Sequence, residues 1–536
     1  VGKGRQRMEA RAAPPALAAL ALAAGVSCGP GGVVVRPPGL NGGGGTNGSA
    51  GAAGGSGGPS NGGSAGAFEA PGVVTHEGPL VAGDAWSRAW GGDGWCESQA
   101  VAFAPDGSIY VTGWFTKTTD FDPDTPIVSV TAAENSGMFL SRFDSAGNLL
   151  RTLTWVSHDQ TSNDRWGNEG WALAVDADGN VFLGGQYSGT LDVDPGPPIL
   201  EQTAVAIRFD AILLQVTSEG ALAWHTAWNA SDLGRVRSVS LTEAGIVIGG
   251  QLAGTVDVDP GPGVEERAAV PPLEEGFAHQ GDCALVALTE DGALEWVHTW
   301  GDRFLDENCV ADADAQVAVS AGKSSTGVSL DGLTGGRTIG PAGWLVEFGA
   351  DGADRRATMF NAVPGAVSLI PGGGAVIGGQ FAGDVDFGTV EQPSLRSTGD
   401  RTNAVLLRFD ESGAPLWVRT WGGDAHAWSL DVEATSSEIV TSGRFEGTVD
   451  FDFFTATADE DRAFVRAFSL DGEPLWAHVV DGGGSFAPGV AVQDGVVAVA
   501  GGFYGSADFD FGQGSDIWSS PGLYGCWLAR FPIPER

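Results

Sequence analysis

Six pairs of aspartates, each two residues apart, are the side chains best placed by spacing to act together. They are Asp120/Asp122, Asp192/Asp194, Asp257/Asp259, Asp384/Asp386, Asp450/Asp452 and Asp508/Asp510, and each follows a strand-like run. Carboxylates at i and i+2 on an extended chain point the same way, ~6–7 Å apart. Calcium takes about six to eight oxygens from carboxylates and loop carbonyls. Asp120-Phe-Asp-Pro-Asp124 comes nearest to such a loop, with acidic residues at alternate positions. The competing expectation is structural, because Asp at a strand end caps turn N–H groups. Repetition favours that role for each Asp. Calcium is therefore a possible cofactor, and a calcium-dependent adhesion module is one function the pairs allow.

The cysteines offer disulfide chemistry. Cys283 and Cys526 hold the same place in two copies of a repeat, and Cys309 and Cys96 lie near the start of the unit that follows each. The expected pairs are Cys283–Cys309 and Cys96–Cys526, with buried free thiols as the alternative. No Cys-x-x-Cys spacing suggests zinc. His225, His298 and His478 are spread over different units rather than clustered. No His-Glu-x-x-His, Gly-x-Ser-x-Gly or phosphate loop occurs, so no catalytic residue is assigned. Acidic residues meeting at a central axis could still form the carboxylate pair of a glycan-acting hydrolase or lyase.

Positioning these residues falls to a repeat. One phrase alternates apolar residues on both sides of an Asp-Gly turn and ends in Gly, as in Ala100-Val-Ala-Phe-Ala-Pro-Asp-Gly-Ser-Ile-Tyr-Val-Thr-Gly113. That is a hairpin signal. The closing glycine recurs at Gly113, Gly185, Gly250, Gly322, Gly379, Gly443 and Gly502, seven copies 57 to 72 residues apart. A second phrase follows each copy: an apolar strand, a Gly turn, and a strand with two aromatics four apart. Examples are Trp224/Trp228, Trp296/Trp300 and Trp417/Trp421. Four strands per unit make a propeller blade. The fourth unit is the most degenerate, with Arg356 and Phe360 at the Trp positions and Ser329 and Asp331 at the Asp positions.

The Trp-pair strand also precedes the first unit, as Trp86 and Trp90, whereas the seventh unit stops after its third strand near Phe531. The expected fold is all-β: a single seven-bladed β-propeller of four-stranded blades over residues 82–536. An N-terminal strand completes the last blade and closes the ring, removing the exposed edge of an open array. The phrases Asp-Gly-Asn-Val-Phe-Leu-Gly-Gly, apolar-Arg-Phe-Asp and Trp-Gly-Gly resemble bacterial propeller repeats of the SBBP type and, more distantly, NHL repeats. That resemblance spans all seven units. It implies display outside the cytoplasm and a propeller fold, and it carries over no catalytic residue. Most Trp residues are expected in the core. Trp95, Trp114, Trp166 and Trp518 fall outside the repeat phrase and are candidates for ligand contact.

Ahead of the repeats, residues 1–28 read as an export signal. Lys3, Arg5, Arg7 and Arg11 precede an Ala/Leu-rich stretch from Ala12 to Val26, which ends in Gly25-Val26-Ser27-Cys28. The stretch is short for a membrane span. The ending resembles a lipobox, with Gly25 where Leu is usual, and implies lipidation of Cys28. Simple cleavage near Ser27 is the alternative. Residues 29–81 read as a disordered Gly/Ser/Ala-rich linker, with a reach of roughly 35–42 Å. The formal net charge of −39 argues against nucleic acid as a partner. Together these features point to an exported monomer, lipid-anchored to the cell envelope, at the outer membrane or cell surface rather than the inner membrane. It would serve as a binding or scaffolding module for a protein or glycan and touch the membrane through its anchor alone.

Overall fold

The computed structural model describes residues 74–77, 84–122, 129–158, 167–206, 208–270, 281–301, 306–324, 328–329, 338–339, 343–387, 395–396, 401–511 and 514–534. The expected signal, Cys28, Asp124 and Trp166 lie outside them. The described residues are all-β. They form five four-stranded antiparallel sheets, four two-stranded ones, and a ten-stranded sheet.

Each four-stranded sheet is one repeat unit. In the second unit, Glu169–Val175, Val181–Tyr187, Asp210–Val216 and Leu222–Trp228 pair in sequence order. The turn between the first two strands is the expected Asp-Gly type. Asp176 accepts N–H bonds from Asp178 and Asn180 at 2.9 and 2.8 Å, and Gly179 supplies the φ of 80° that such a turn demands. The ten-stranded sheet holds two such runs. Cys96–Phe103 leads one of them and Ser485–Gln493 the other; they join where Gly91 and Gly92 pair with Asp120 and Thr119. Strand Trp86–Gly92 lies antiparallel to Ile517–Pro532, from Trp86 opposite Arg530 to Trp90 opposite Cys526.

The leading strands pack side by side. Cys96–Phe103 meets Glu169–Val175, which meets Leu233–Thr242; next come Asp306–Ala313, Val363–Leu369, His426–Ala434 and Ser485–Gln493. Ser485–Gln493 packs in turn on Cys96–Phe103. Apolar layers fill the space between sheets. Trp90, Phe115 and Phe139 share one layer with Cys526 and Leu528, which places the first and last strands in the same core.

Two local devices explain the repeat phrases. Every leading strand carries an irregularity in register about two turns of pleat from its start, such as Ser98/Ala100, Gly170/Ala172 and Val236/Ser238. Opposite it stands the closing glycine. A Cβ on Gly113, Gly185 or Gly250 would come within 1.9–2.2 Å of the carbonyl oxygen of Glu97, Glu169 or Arg235. The bulge is what demands glycine there. The Trp pairs are core residues. Trp86, Trp296 and Trp417 each donate their indole N–H at 3.0 Å to a turn carbonyl of the neighbouring sheet. In the fourth unit Arg356 holds that place and pairs with Glu347 at 2.8 Å. A cleft of about 470 Å³ opens beside it, towards Ile370 and Gly413.

Both expected disulfides are present, Cys96–Cys526 and Cys283–Cys309. One difference from the sequence reading concerns the linker. Thr75–His76, within the stretch read as disordered, pairs with Ser519 and Trp518, and the His76 ring meets Asp516 at 2.6 Å.

Candidate functional site

The Asp pairs sit at strand ends, where their carboxylates hold backbone. The first Asp of five pairs accepts the N–H of the second: Asp120 from Asp122, Asp192 from Asp194, Asp257 from Asp259, Asp450 from Asp452 and Asp508 from Asp510, at 2.9–3.3 Å. Asp192, Asp257 and Asp508 also bind the N–H of Leu200, Glu265 and Asp516 at 2.7–2.9 Å. Asp194 and Asp259 cap Gly196 and Gly261. Asp384 leads a two-stranded hairpin, and the Asp386 carbonyl accepts from Asn361. The pairs belong to six different repeat units. Among the described residues, no three His, Cys, Asp or Glu side chains group as metal ligands. Lone pairs committed to N–H groups are poor calcium ligands, so the melting temperature of the chain should be the same in calcium and in EDTA. A clear rise with calcium, of the ~2.7 kcal/mol expected at 100 times the dissociation constant, would contradict the capping role.

The bulges build a different constellation. A bulge re-aims a side chain, and the bulge residues of the first three leading strands are Gln99, Trp171 and Arg237. With residues of all seven leading strands they line one cavity of about 180 Å³. Two residues before each bulge residue stand Glu97, Glu169 and Arg235, and Gln186 and Gln251 are opposite the last two. Gln99 donates to Glu97 at 3.3 Å and Gln186 donates to Glu169 at 3.0 Å. From the sixth unit, Arg444 lies over Trp428 at 4.3 Å and pairs with Asp461 at 2.6 Å. Trp95 stacks on Tyr524 at 4.8 Å, and Tyr524 meets Tyr504 at 5.0 Å. Of the described Trp residues singled out by sequence, Trp95 joins this group through Tyr524, which feels the charges of Glu97 and Arg444. Trp114 and Trp518 are core residues, 2% and 1% exposed.

Electrostatics set this mouth apart. Burial pushes Glu97 up to about 8, aided by the nearby Glu169, while Arg444 opposes the rise. Burial likewise raises Glu169 to about 7 against the pull of Arg235 and Arg237. Farther along the cavity, Asp312 accepts N–H from Leu369 and Asp431 from Val490, both at 2.8 Å, which ties neighbouring strands together. Glu433 lies beside them and is raised to about 8 by burial and those two carboxylates. Asp431 rises to about 7 by burial.

These carboxyls predict a pH dependence of stability. Each folded-state value lies above its ordinary value of 4.5 or 3.8. The native state therefore binds more protons than the unfolded chain in that interval, and stability falls as pH rises through it. Asp106, Asp144 and Asp410, held low by hydrogen bonds, act below the interval. The urea midpoint should be highest near pH 5 and lower at pH 8.5. A midpoint that climbs over that range would contradict the burial of these groups. Glu433→Gln should flatten the slope.

No family profile matches the chain, and no curated protein matches it in sequence. Among solved structures it is similar to BamB from Moraxella catarrhalis, with 11% identity and a TM-score of 0.29 over 70% of this chain and 98% of that one. It is also similar to quinohemoprotein alcohol dehydrogenase from Comamonas testosteroni, with 10% identity and a TM-score of 0.36 over 85% and 78% of the two chains. The succession of four-stranded antiparallel sheets, and not these distant likenesses, makes the architecture an all-β fold of the propeller type.

Proposed function

We propose that the chain is a closed seven-bladed propeller, exported and held at the cell envelope by Cys28, that binds a ligand at one mouth of its axis. The cycle of leading strands and the pairing of Trp86–Gly92 with the last strand support the blade count and the closure. Two disulfides accord with an oxidising compartment. The observation that carries the binding site is the convergence of Glu97, Glu169, Arg237, Arg444, Trp95 and Trp428 around one mouth. Ligand sites favour such concave places with a few polar groups and shifted titrations. The SBBP-type relationship belongs to the same proposal, on the strength of the repeat phrases.

A second reading, a glycan-acting hydrolase or lyase, is favoured by Glu97 and Glu169. A carboxyl near 7–8 can act as a general acid at neutral pH. Both readings predict binding that depends on the mouth. Intrinsic fluorescence should be titrated with a panel of acidic and neutral oligosaccharides and peptides, using the intact chain and the Trp95→Ala variant. Saturable binding lost in the variant supports the mouth; binding unchanged by it places the ligand elsewhere. Release of reducing ends that stops in Glu97→Gln would select the enzyme.

A further inference from the structure

We propose that the axial cavity receives a sugar acid, with its carboxylate seated on the Arg237 guanidinium. The proposal rests on the mouth being the binding site.

Arg237 is 4% exposed, and its Nε and Nη1 have no hydrogen-bond acceptor among the described residues. Its plane lies over Trp171 at 4.1 Å, which fixes its direction but satisfies none of its donors. Leaving two buried donors of a cation without acceptors is costly, and the chain has acids in excess, 67 against 28 Lys and Arg, from which a partner could have come. Glu169 is the acid whose charge it feels, and the amide of Gln186 is bonded to that carboxyl. Burial and the like charge of Arg235 bring Arg237 down to about 9, so it remains charged at neutral pH. A guanidinium presents paired donors that match a carboxylate. Glu169 beside it offsets part of that positive charge, which suits a singly charged group better than a phosphate dianion.

The rest of the cavity specifies what carries the carboxylate. Gln99, 2% exposed, lines the same space, and its Oε1 has no donor. In either orientation of that amide one polar atom is left over, which a hydroxyl can satisfy. A volume of about 180 Å³ is below the ~300–1,000 Å³ of pockets for larger ligands. It has room for one small ring, such as a terminal residue of a glycan. The stacked Trp95 and Tyr524 stand outside this lining, with Tyr524 in the field of Glu97 and Arg444.

The test is a fluorescence titration of the full chain with sodium D-glucuronate, D-glucose and sodium acetate. Glucuronate should saturate, and glucose and acetate should each bind at least roughly tenfold more weakly. Arg237→Lys should weaken glucuronate by roughly ten- to hundredfold, the size of a lost charge-assisted pair, with its melt close to that of the parent. Should that variant fold poorly, Gln99→Leu should weaken glucuronate more than acetate. Acetate binding as tightly as glucuronate would overturn the sugar part of the inference. Glucose binding as tightly would overturn the carboxylate part and leave the mouth as a neutral-sugar site. Silence with all three probes would overturn the inference outright, while the oligosaccharide and peptide panel still judges the mouth separately.

Discussion

Removing the strand Trp86–Gly92 should abolish the cooperative fold of the whole chain, though the strand is only seven residues long. Its side chains fill the last sheet's core: Trp86, Ala89 and Trp90 are 3%, 1% and 1% exposed. Two buried Trp side chains of ~150–250 Å² each, at ~25 cal/mol per Å², contribute roughly 8–12 kcal/mol. That is as large as the entire stability of a typical domain. The deletion also uncovers one long edge of Ile517–Pro532, a template for pairing with another chain. We expect aggregates or dimers by size exclusion and no sharp urea transition. A milder version, Trp90→Ala, should cost about 3–5 kcal/mol. A deleted chain that stays monomeric with an unchanged midpoint would show that the first strand does not complete the last sheet.

The second large effect concerns Cys96–Cys526, which spans 430 residues. Chain entropy assigns about 6 kcal/mol to a loop of that length and about 3.5 kcal/mol to the 26 residues closed by Cys283–Cys309. Measured losses for native disulfides more often fall at about 2–5 kcal/mol, because unfolded chains keep some structure. The ordering should survive that compression. Cys96→Ser with Cys526→Ser should lower the denaturation midpoint more than Cys283→Ser with Cys309→Ser does. Its effect should overlap with that of Trp90→Ala, since the bond joins the same two ends and Trp90 is paired with Cys526. Equal losses, or strict additivity with Trp90→Ala, would argue against a bond that locks the ends of the ring.

Much of this was legible in the sequence for identifiable reasons. Period-two alternation around Asp-Gly and Gly-closing phrases gave the hairpins, because each turn depends on its own residues. The disulfides followed from equal places in a repeat, which translate directly into neighbouring positions in space. The site was not legible in the same way. Gln99, Trp171 and Arg237 lie 13 or 14 residues before their closing glycines, a column in which other units carry Leu430 or Gly365. Variation in that column was the available signal. It becomes a signal only once the bulge opposite the glycine is known to bring those side chains to one cavity. The conspicuous Asp pairs, in contrast, repeat with a local bond: in five of the six the first Asp accepts the N–H of the second.

The central claim, a ring of seven sheets closed by the first strand, is tested most directly by face-on electron-microscopy class averages of the chain. The account predicts seven wedges around an axial hole with no break between the first and the last. Six or eight wedges, or a gap where Trp86–Gly92 should meet Ile517–Pro532, would contradict it.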